Sequence, residues 1–532
     1  LDYQHDVGSG GFSFLENSLT EMTQIQTHSL QSPLILILGL GQTGVAAVRW
    51  CLRQGWQLRV ADTRLAPAGL AALEALNGQA EIDFRLGEHA FVPELLDGVT
   101  QLVLSPGLSP HQEPVKALLE RAAEQKLEVL GEIELFARAL NQLATTRAYV
   151  PKVLGITGTN GKTTVTALTQ HMLTTAGIKA CAAGNVSPAA LDALMDALDA
   201  EALPAVWVLE LSSFQLETTA SLRFTAAVVL NLTQDHLDWH GSMAAYTQAK
   251  AKIYQQADLC VYNRDDRAVM QLCPNAGALS VRTFGSDTPV FAHDVGIETN
   301  ADVNWLTRVE ANEFEHEQQH TTPKRKKDVQ TPTRAEGRVT RLMPAEALQI
   351  KGLHNALNVQ VALLLAHAAG AGWGAMLRAA REYQGEPHRM EFIRTIQGVD
   401  FFNDSKGTNV GATVAGLNGL ARRIILIAGG QGKGQDFSPL VPAVTRHVKH
   451  VLLIGQASQE LAQVLAGTGV HCELLESLEA AVKKSFELAQ SGDAVLLSPA
   501  CASFDMFKNY PHRGQSFVNA VTELALEQGE FA

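Results

Sequence analysis

From Leu34 onward the chain alternates short apolar runs with longer stretches of helical character. The runs are Leu34–Leu38, Gln57–Ala61 and Leu102–Leu104, then Val153–Thr157, Val206–Leu209 and Ala226–Leu232, then Ile424–Ala428, Val451–Ile454 and Ala494–Leu497. Continuous apolar strands separated by helices predict repeated parallel βα units, because a strand covered on both faces has no polar side. New units can open near Tyr149–Pro151, ahead of a fresh strand-loop-helix signal, and near Gly385–Pro387, after a helical stretch. Two segments break the pattern. Residues 1–32 are polar and Gly/Ser-containing without a period, and are expected to be a poorly ordered leader, with Met22 as a candidate start. Glu310–Gly337 is polar and carries Lys324-Arg325-Lys326-Lys327 among Thr, Pro, Gln and Glu. It reads as a solvated, dispensable insertion at a loop tip, with too little apolar surface to offset the entropy of ordering it. A basic docking patch is the alternative.

At 532 residues the chain exceeds a single core, and three domains of roughly 100–200 residues each are expected. Hydrophobic residues at 46% and charged ones at 18% describe a globular protein. The net charge of −13 disfavours a nucleic-acid partner, although a local basic pocket can still hold a small anion. The six cysteines are scattered without a CxxC pair, so neither a disulfide framework nor a zinc site is indicated and a reducing compartment fits. No apolar run approaches the roughly 18–20 residues of a membrane span, and the first positive residue, Arg49, comes too late for a signal peptide. A cytoplasmic protein with no membrane span is expected.

Gly39-Leu40-Gly41-Gln42-Thr43-Gly44 follows the first apolar run and opens a helical stretch, and Asp62 ends the next run. Alone, this dinucleotide fingerprint suggests NAD. Its physical content is broader, since glycines allow close backbone approach and amides at a helix N-terminus bind the pyrophosphate of any nucleotide. A tight turn without a ligand also stays open. Gly158-Thr159-Asn160-Gly161-Lys162-Thr163-Thr164, after the strand Lys152–Thr157, is a phosphate-binding loop. Its free amides can cradle phosphates, Lys162 can neutralise the β- and γ-phosphates, and Thr163 can place its hydroxyl on Mg²⁺. The usual spacing needs a glycine five positions before Gly161, where Ile156 stands, while Gly155 is one residue too early. The loop is therefore a variant of the common form.

Glu210 and His236 each follow an apolar run, where the carboxyl ends of strands place ligand-binding residues in open α/β sheets. A hard cation such as Mg²⁺ takes oxygen ligands, which suits Glu210; His236 on chemistry alone reads equally as a hydrogen-bonded structural residue. Phe402-Asn403-Asp404-Ser405-Lys406-Gly407-Thr408-Asn409 is a dense polar run that without support reads as a loop.

Together these residues resemble the Mur ligase family over about residues 33–525. The shared marks are Gly158–Thr164, His354-Asn355 with Asn358, Pro387-His388-Arg389 and Asn403-Asp404-Ser405-Lys406. Two longer stretches are similar to the branch that adds D-glutamate: Leu209–Glu217, and Ser498–Asp505 running on to Phe507-Lys508-Asn509. The resemblance implies an α/β, three-domain architecture. A Rossmann-like UDP-binding domain would cover 33–149, a central P-loop ATPase-like domain 150–385 and a Rossmann-like amino-acid-binding domain 386–532.

It further implies ATP-dependent addition of D-glutamate to UDP-N-acetylmuramoyl-L-alanine in peptidoglycan precursor synthesis, by a cytoplasmic monomer serving cell-wall biogenesis and division. On this basis Gln42, Thr43, Asp62, Thr63, Arg64, Ser105, Pro106 and Gly107 match UDP contacts, which replaces the NAD reading of the glycine fingerprint. Asn185, Ser212 and Gln215 match positions near the sugar-peptide. ATP would be held by Gly158–Thr164, Asn355, Asn358, Arg389 and Asp404, with Lys162, His236, Lys250 and Arg389 as catalytic groups. Two Mg²⁺ ions would be bound through Thr163, Glu210, His236 and a CO₂-derived carbamate on Lys250. Lys406, Thr408, Lys433, Ser503, Phe504 and Tyr510 match the D-glutamate pocket. Phe504 stands where a leucine is familiar and Tyr510 where a phenylalanine is, so the pocket's shape is open to change. The Glu310–Gly337 insertion also exceeds the usual length. Within the superfamily, a folylpolyglutamate synthase-like ligase is the alternative, against which Ser498–Asp505 argues. An NAD-dependent oxidoreductase would leave Lys162 without a task, and a regulatory nucleotide-binding protein would turn over nothing.

Overall fold

The computed structural model describes residues 32–74, 82–311, 333–420 and 422–530. They form two compact units, one running through Leu108 with Pro114–Leu130, the other comprising Ser109–Glu113 and Gly131 onward. Apart from Ser32, the expected leader lies outside the described residues.

The first unit is a five-stranded parallel sheet in the order β3-β2-β1-β4-β5, from β1 (Leu34–Leu38), β2 (Gln57–Asp62), β3 (Ile82–Leu86), β4 (Gln101–Leu104) and β5 (Glu128–Leu130). The Leu-Ile-Leu-Ile-Leu of β1 is buried from Ile35 on, as a central strand covered on both faces requires. Leu36 and Leu38 pack with Leu95, Leu102 and Leu118 on one face.

The second unit carries three sheets. A six-stranded parallel sheet runs β11-β10-β9-β6-β8-β7, from β6 (Lys152–Thr157), β7 (Ala180–Gly184), β8 (Val206–Glu210), β9 (Ala226–Val229), β10 (Cys260–Asn263) and β11 (Val281–Phe284). The helices Lys162–Thr175, Leu353–Ala368 and Trp373–Glu382 pack together around Leu168, Met172, Val359, Leu363 and Met376. Another six-stranded sheet runs β15-β16-β20-β17-β18-β19, from β15 (Glu391–Ile396), β16 (Val399–Asn403), β17 (Ile424–Gly429), β18 (Val448–Ile454), β19 (His471–Leu474) and β20 (Ala494–Leu497). Its two faces are covered by separate apolar clusters, one around Leu417, Leu440 and Leu461, the other around Val482, Phe517 and Val521.

Not every strand is parallel. β12 (Val295–Asn300), β13 (Val303–Ala311) and β14 (Gly337–Pro344) form an antiparallel sheet, and β15 runs antiparallel to β16. These strands are largely part-exposed and carry Arg, Thr and Glu, so a search for continuous apolar runs passes over them. The run Ala226–Leu232 also overshoots, because β9 stops at Val229 and Leu230–Leu232 cross beside the phosphate loop. Glu310, Ala311 and Gly337 belong to paired strands, with Ala311 opposite Gly337, so the polar insertion is bounded more tightly than read above. Residues 312–332 lie outside the described residues. No helix among the described residues is long and apolar enough to cross a membrane.

Candidate active site

β6 delivers the chain into Gly158–Gly161, and the helix Lys162–Thr175 starts at once behind it. Gly158 and Gly161 have φ of +146° and +84°, and a Cβ would meet Leu230 Cβ at 2.9 Å at the first and Asn358 Oδ1 at 2.8 Å at the second. Glycine is therefore required at both. Gly155, the glycine out of step with the usual spacing, is a packing residue inside β6, where a Cβ would strike the Phe224 ring at 2.7 Å. The loop is braced from below, since Asn160 N donates to Asn231 Oδ1 at 2.8 Å and Thr159 Oγ1 lies 3.0 Å from the Tyr246 hydroxyl.

Lys162 Nζ donates to the carbonyls of Gly158 and Thr159, each at 2.9 Å, and burial lowers its pKa despite the pull of Glu210 and Asp235. Glu210 ends β8 and is 3% exposed. Its Oε2 accepts from Thr163 Oγ1 at 2.7 Å and its Oε1 from Asn185 Nδ2 at 2.8 Å. Gly184 fixes this corner: its φ is +110° and a Cβ would lie 2.4 Å from the Glu210 carbonyl oxygen. Arg389, just ahead of β15, reaches over and donates from Nη2 to Thr163 Oγ1 at 2.5 Å.

His236 takes a left-handed backbone at φ +54°, with its ring 4.8 Å from Phe214 and its Nε2 3.6 Å from Asp235 Oδ2. Burial lowers its pKa, opposed by Asp235. Lys250, on the helix Met243–Gln255, is 2% exposed and donates to the Gly158 carbonyl at 2.9 Å and Thr157 Oγ1 at 3.3 Å. Burial, reinforced by Lys162, holds its pKa well below the ordinary lysine value.

Two cavities open off the loop. One, of about 500 Å³, is lined by Asn160, Gly161, Thr164, Asn355, Asn358, Arg389 and Asp404. The other, of about 560 Å³, brings together Lys162, Thr163, Asn185, Glu210, His236, Arg389, Lys406, Thr408 and Lys433. The polar run after β16 is thus part of the site, its Asp404 and Lys406 lining the first cavity and its Lys406 and Thr408 the second. Burial raises Asp404 to about 7 and, with Arg389, lowers Lys406 to about 8.

Three of the residues expected for a D-glutamate pocket do not line either cavity. Ser503 is buried, Phe504 is 65% exposed and Tyr510 opens the last helix. The two aromatics nonetheless each meet a cavity lysine: Lys433 Nζ lies 5.7 Å from the Phe504 ring centroid and Lys406 Nζ 3.9 Å from that of Tyr510. Ser212 and Gln215 are turned toward each other in a capping box, at 2.9 Å and 3.2 Å.

In the first unit, Gln42 and Thr43 open a helix, Asp62 ends β2 with Thr63 and Arg64 behind it, and Ser105–Gly107 follow β4. All sit at the carboxyl ends of strands. The Asp62 carboxylate accepts from Leu40 N at 2.8 Å and from Arg64 Nη2 at 2.7 Å. Burial pushes its pKa up, but Arg64 and two amides outweigh this and hold it low. Its direct task is to shape the glycine turn.

Sequence reasoning gave no role to three bracing residues. Asn409 pairs with Asn160 through reciprocal amide bonds of 3.3 and 3.0 Å. Gln435 lines the second cavity and donates to the Ala500 carbonyl at 2.7 Å. Buried Arg513 donates to Ser405 O at 2.8 Å and Cys501 O at 3.2 Å, tying the loop after β16 to the loop after β20. Asn409 closed the polar run and was visible there; the other two had no local signal.

The Mur ligase middle domain matches residues 156–366, the Mur ligase glutamate ligase domain 388–501, and the MurD-like N-terminal domain 33–131. The chain belongs to the Mur ligase family. A UDP-N-acetylmuramoylalanine–D-glutamate ligase of Bordetella parapertussis is 59% identical over 512 residues, 96% of this chain and 100% of that one. The like-named protein of Ralstonia nicotianae is 51% identical over 94% of this chain and 99% of its own. Solved Mur ligases share the fold: the UDP-N-acetylmuramate-alanine ligase of Thermotoga maritima at TM-score 0.52 and 16% identity, over 92% and 99% of the two chains. A MurF of Acinetobacter baumannii aligns at TM-score 0.52 and 15% identity over 92% of each. As a Mur ligase, the chain has the three-domain α/β architecture and is an ATP-dependent ligase of peptidoglycan precursor synthesis.

Proposed function

We propose that this Mur ligase joins D-glutamate to the L-alanyl carboxylate of UDP-N-acetylmuramoyl-L-alanine. The observation that carries the reading is a single cavity in which the phosphate loop and Glu210 face the cations Arg389, Lys406 and Lys433. The L-alanyl carboxylate attacks the γ-phosphorus of ATP, the bond to the β-phosphate oxygen breaks, and ADP leaves. The amine of D-glutamate then attacks the acyl phosphate, phosphate departs with its bonding pair, and the amine loses a proton. Two anions meet in the first step. Lys162 and Arg389 offset their repulsion and the charge on the transferred group.

The donor set suits Mg²⁺. Thr163 and Glu210 supply hard oxygens already 2.7 Å apart, His236 adds a ring nitrogen, and bound Mg²⁺ would neutralise phosphate charge. Among the described residues no three His, Cys, Asp or Glu side chains cluster as ligands, so the proposed site needs Thr163 and a modified Lys250 to complete its donor set. An ammonium at Lys250 would repel the metal, whereas its carbamate offers oxygens. Deep burial and the Lys162 charge outweigh the pull of Asp235 and Glu210, and this favours the neutral amine that CO₂ requires. ¹³C-bicarbonate labelling should give a carbamate resonance absent from Lys250→Ala; an unmodified Lys250 in active enzyme would rule the modification out.

The UDP moiety is assigned to Gln42, Thr43, Asp62, Thr63, Arg64 and Ser105–Gly107 of the first unit, and the domain limits to 33–149, 150–385 and 386–532. A cytoplasmic monomer is the expected working form. The test is formation of ADP, phosphate and a D-glutamyl product. It should require ATP, Mg²⁺, the UDP-sugar-alanine and D-glutamate together, and equal use of L-glutamate would overturn the assignment.

A further inference from the structure

A third cavity, of about 520 Å³, shares no lining residue with the two catalytic ones. Its wall includes Arg282 of β11, a part-buried guanidinium whose Nη1 donates to the carbonyls of Leu279 at 2.9 Å and Val281 at 2.7 Å. No carboxylate among the described residues pairs with it. Asp294, the acid acting on it, is held by Arg334 at 2.6 Å and by the Thr283 hydroxyl at 2.7 Å. Burial and the Arg334 charge pull Arg282 down to about 10, the mark of a cation short of negative charge.

Arg308 also enters the cavity. Its guanidinium lies 4.6 Å from the Trp373 ring centroid and pairs with Glu310, while its Nε is buried without a partner. Trp373 opens the helix Trp373–Glu382, whose first turn contains no acid. Val309 and Leu364 give the cavity an apolar lining.

We propose that this cavity binds a small anion carrying a flat, apolar body. Arg282 supplies the uncompensated charge, Arg308 a donor not yet used, and Trp373 an aromatic ring. Among the described residues Glu310 is the one carboxylate lining the cavity, and it is neutralised by Arg308, with Arg338 3.5 Å away. The lining explains why the ligand needs a body: a bare inorganic anion would leave the part-exposed Trp373 in the cavity wall uncovered. The inference does not depend on which amino acid the ligase adds.

The test uses the full chain saturated with ADP, titrated with phenyl phosphate, and with inorganic phosphate and phenol as the separated halves. The indole N–H resonance of Trp373, assigned through Trp373→Phe, reports binding together with calorimetry. Phenyl phosphate should shift that resonance saturably, bind at least 10-fold more tightly than either half, and weaken at least 10-fold in Arg282→Gln while ATP turnover is unchanged. No saturable shift, equal binding by Arg282→Gln, or equal binding of phosphate alone would overturn the proposal. If Arg282→Gln does not fold, Trp373→Leu read by calorimetry serves instead, and unchanged affinity there overturns it.

Discussion

Asp404→Asn should make the protein more stable at pH 8 and much less active. Asp404 follows β16 and is 7% exposed, with Oδ1 accepting from Met390 N at 3.3 Å and Oδ2 from Ser498 Oγ at 2.7 Å. Burial outweighs these bonds and the nearby Arg389, raising its pKa from 3.8 to about 7. A carboxyl raised in the fold binds its proton more tightly there than in the unfolded chain. The penalty is therefore absent well below pH 3.8, grows between 3.8 and about 7, and is complete above that. The gap corresponds to at most about 4 kcal/mol, and relaxation of the surroundings should leave about 2. Asparagine removes the charge and keeps the shape. Its amide can donate to Ser498 Oγ, because the Ser498 hydroxyl has a second acceptor in Thr413 Oγ1 at 3.0 Å. Thermal melts should show the variant roughly 5 °C above the parent at pH 8, with the advantage shrinking steadily as pH falls toward 4. Turnover should drop about 100-fold through lost positioning at the nucleotide. A variant less stable at pH 8, or an advantage that does not change with pH, would refute this account of the burial cost.

Gly184→Ala should express as folded protein with turnover reduced at least 10-fold, because the new methyl group pushes on the Glu210 carbonyl and stores about 1–3 kcal/mol of strain; parental turnover would show that Glu210 tolerates displacement. Lys250→Ala should lose about 100-fold or more, with partial rescue by a small carboxylate, whereas Lys252→Ala, which only breaks a partly exposed pair with Glu217, should be mild. Equal losses in the two would remove Lys250 from the site. Replacing residues 312–332 with a short Gly/Ser linker should leave steady-state turnover within a few-fold, since Ala311 and Gly337 already pair side by side; loss of soluble protein would count against it.

Central strands of the parallel sheets were legible because a strand covered on both faces must be apolar throughout, and β1 and β20 coincide with their runs. The antiparallel β12–β14 sheet was not, since polar and part-exposed residues interrupt its strands and leave no continuous apolar run. In the site, the phosphate loop and Glu210 declared themselves through glycine geometry and position at a strand end. Arg513 did not, because its partners Ser405 and Cys501 lie 108 and 12 residues away and are backbone carbonyls or a hydroxyl, which leave no trace in a pattern of residue types.

The pairing of Arg389 with Thr163, and of Asn160 with Asn409, joins a sheet that holds the phosphate loop to a sheet that carries Lys406 and Lys433. On the proposed reading, phosphoryl transfer draws on both sides of that seam, with Lys162 on one and Arg389 on the other. A change in either sheet that moves the seam would disturb the phosphoryl step together with the placing of the incoming amine. A compound lodged at the seam would touch both, and resistance to it would need matched changes in two places at once.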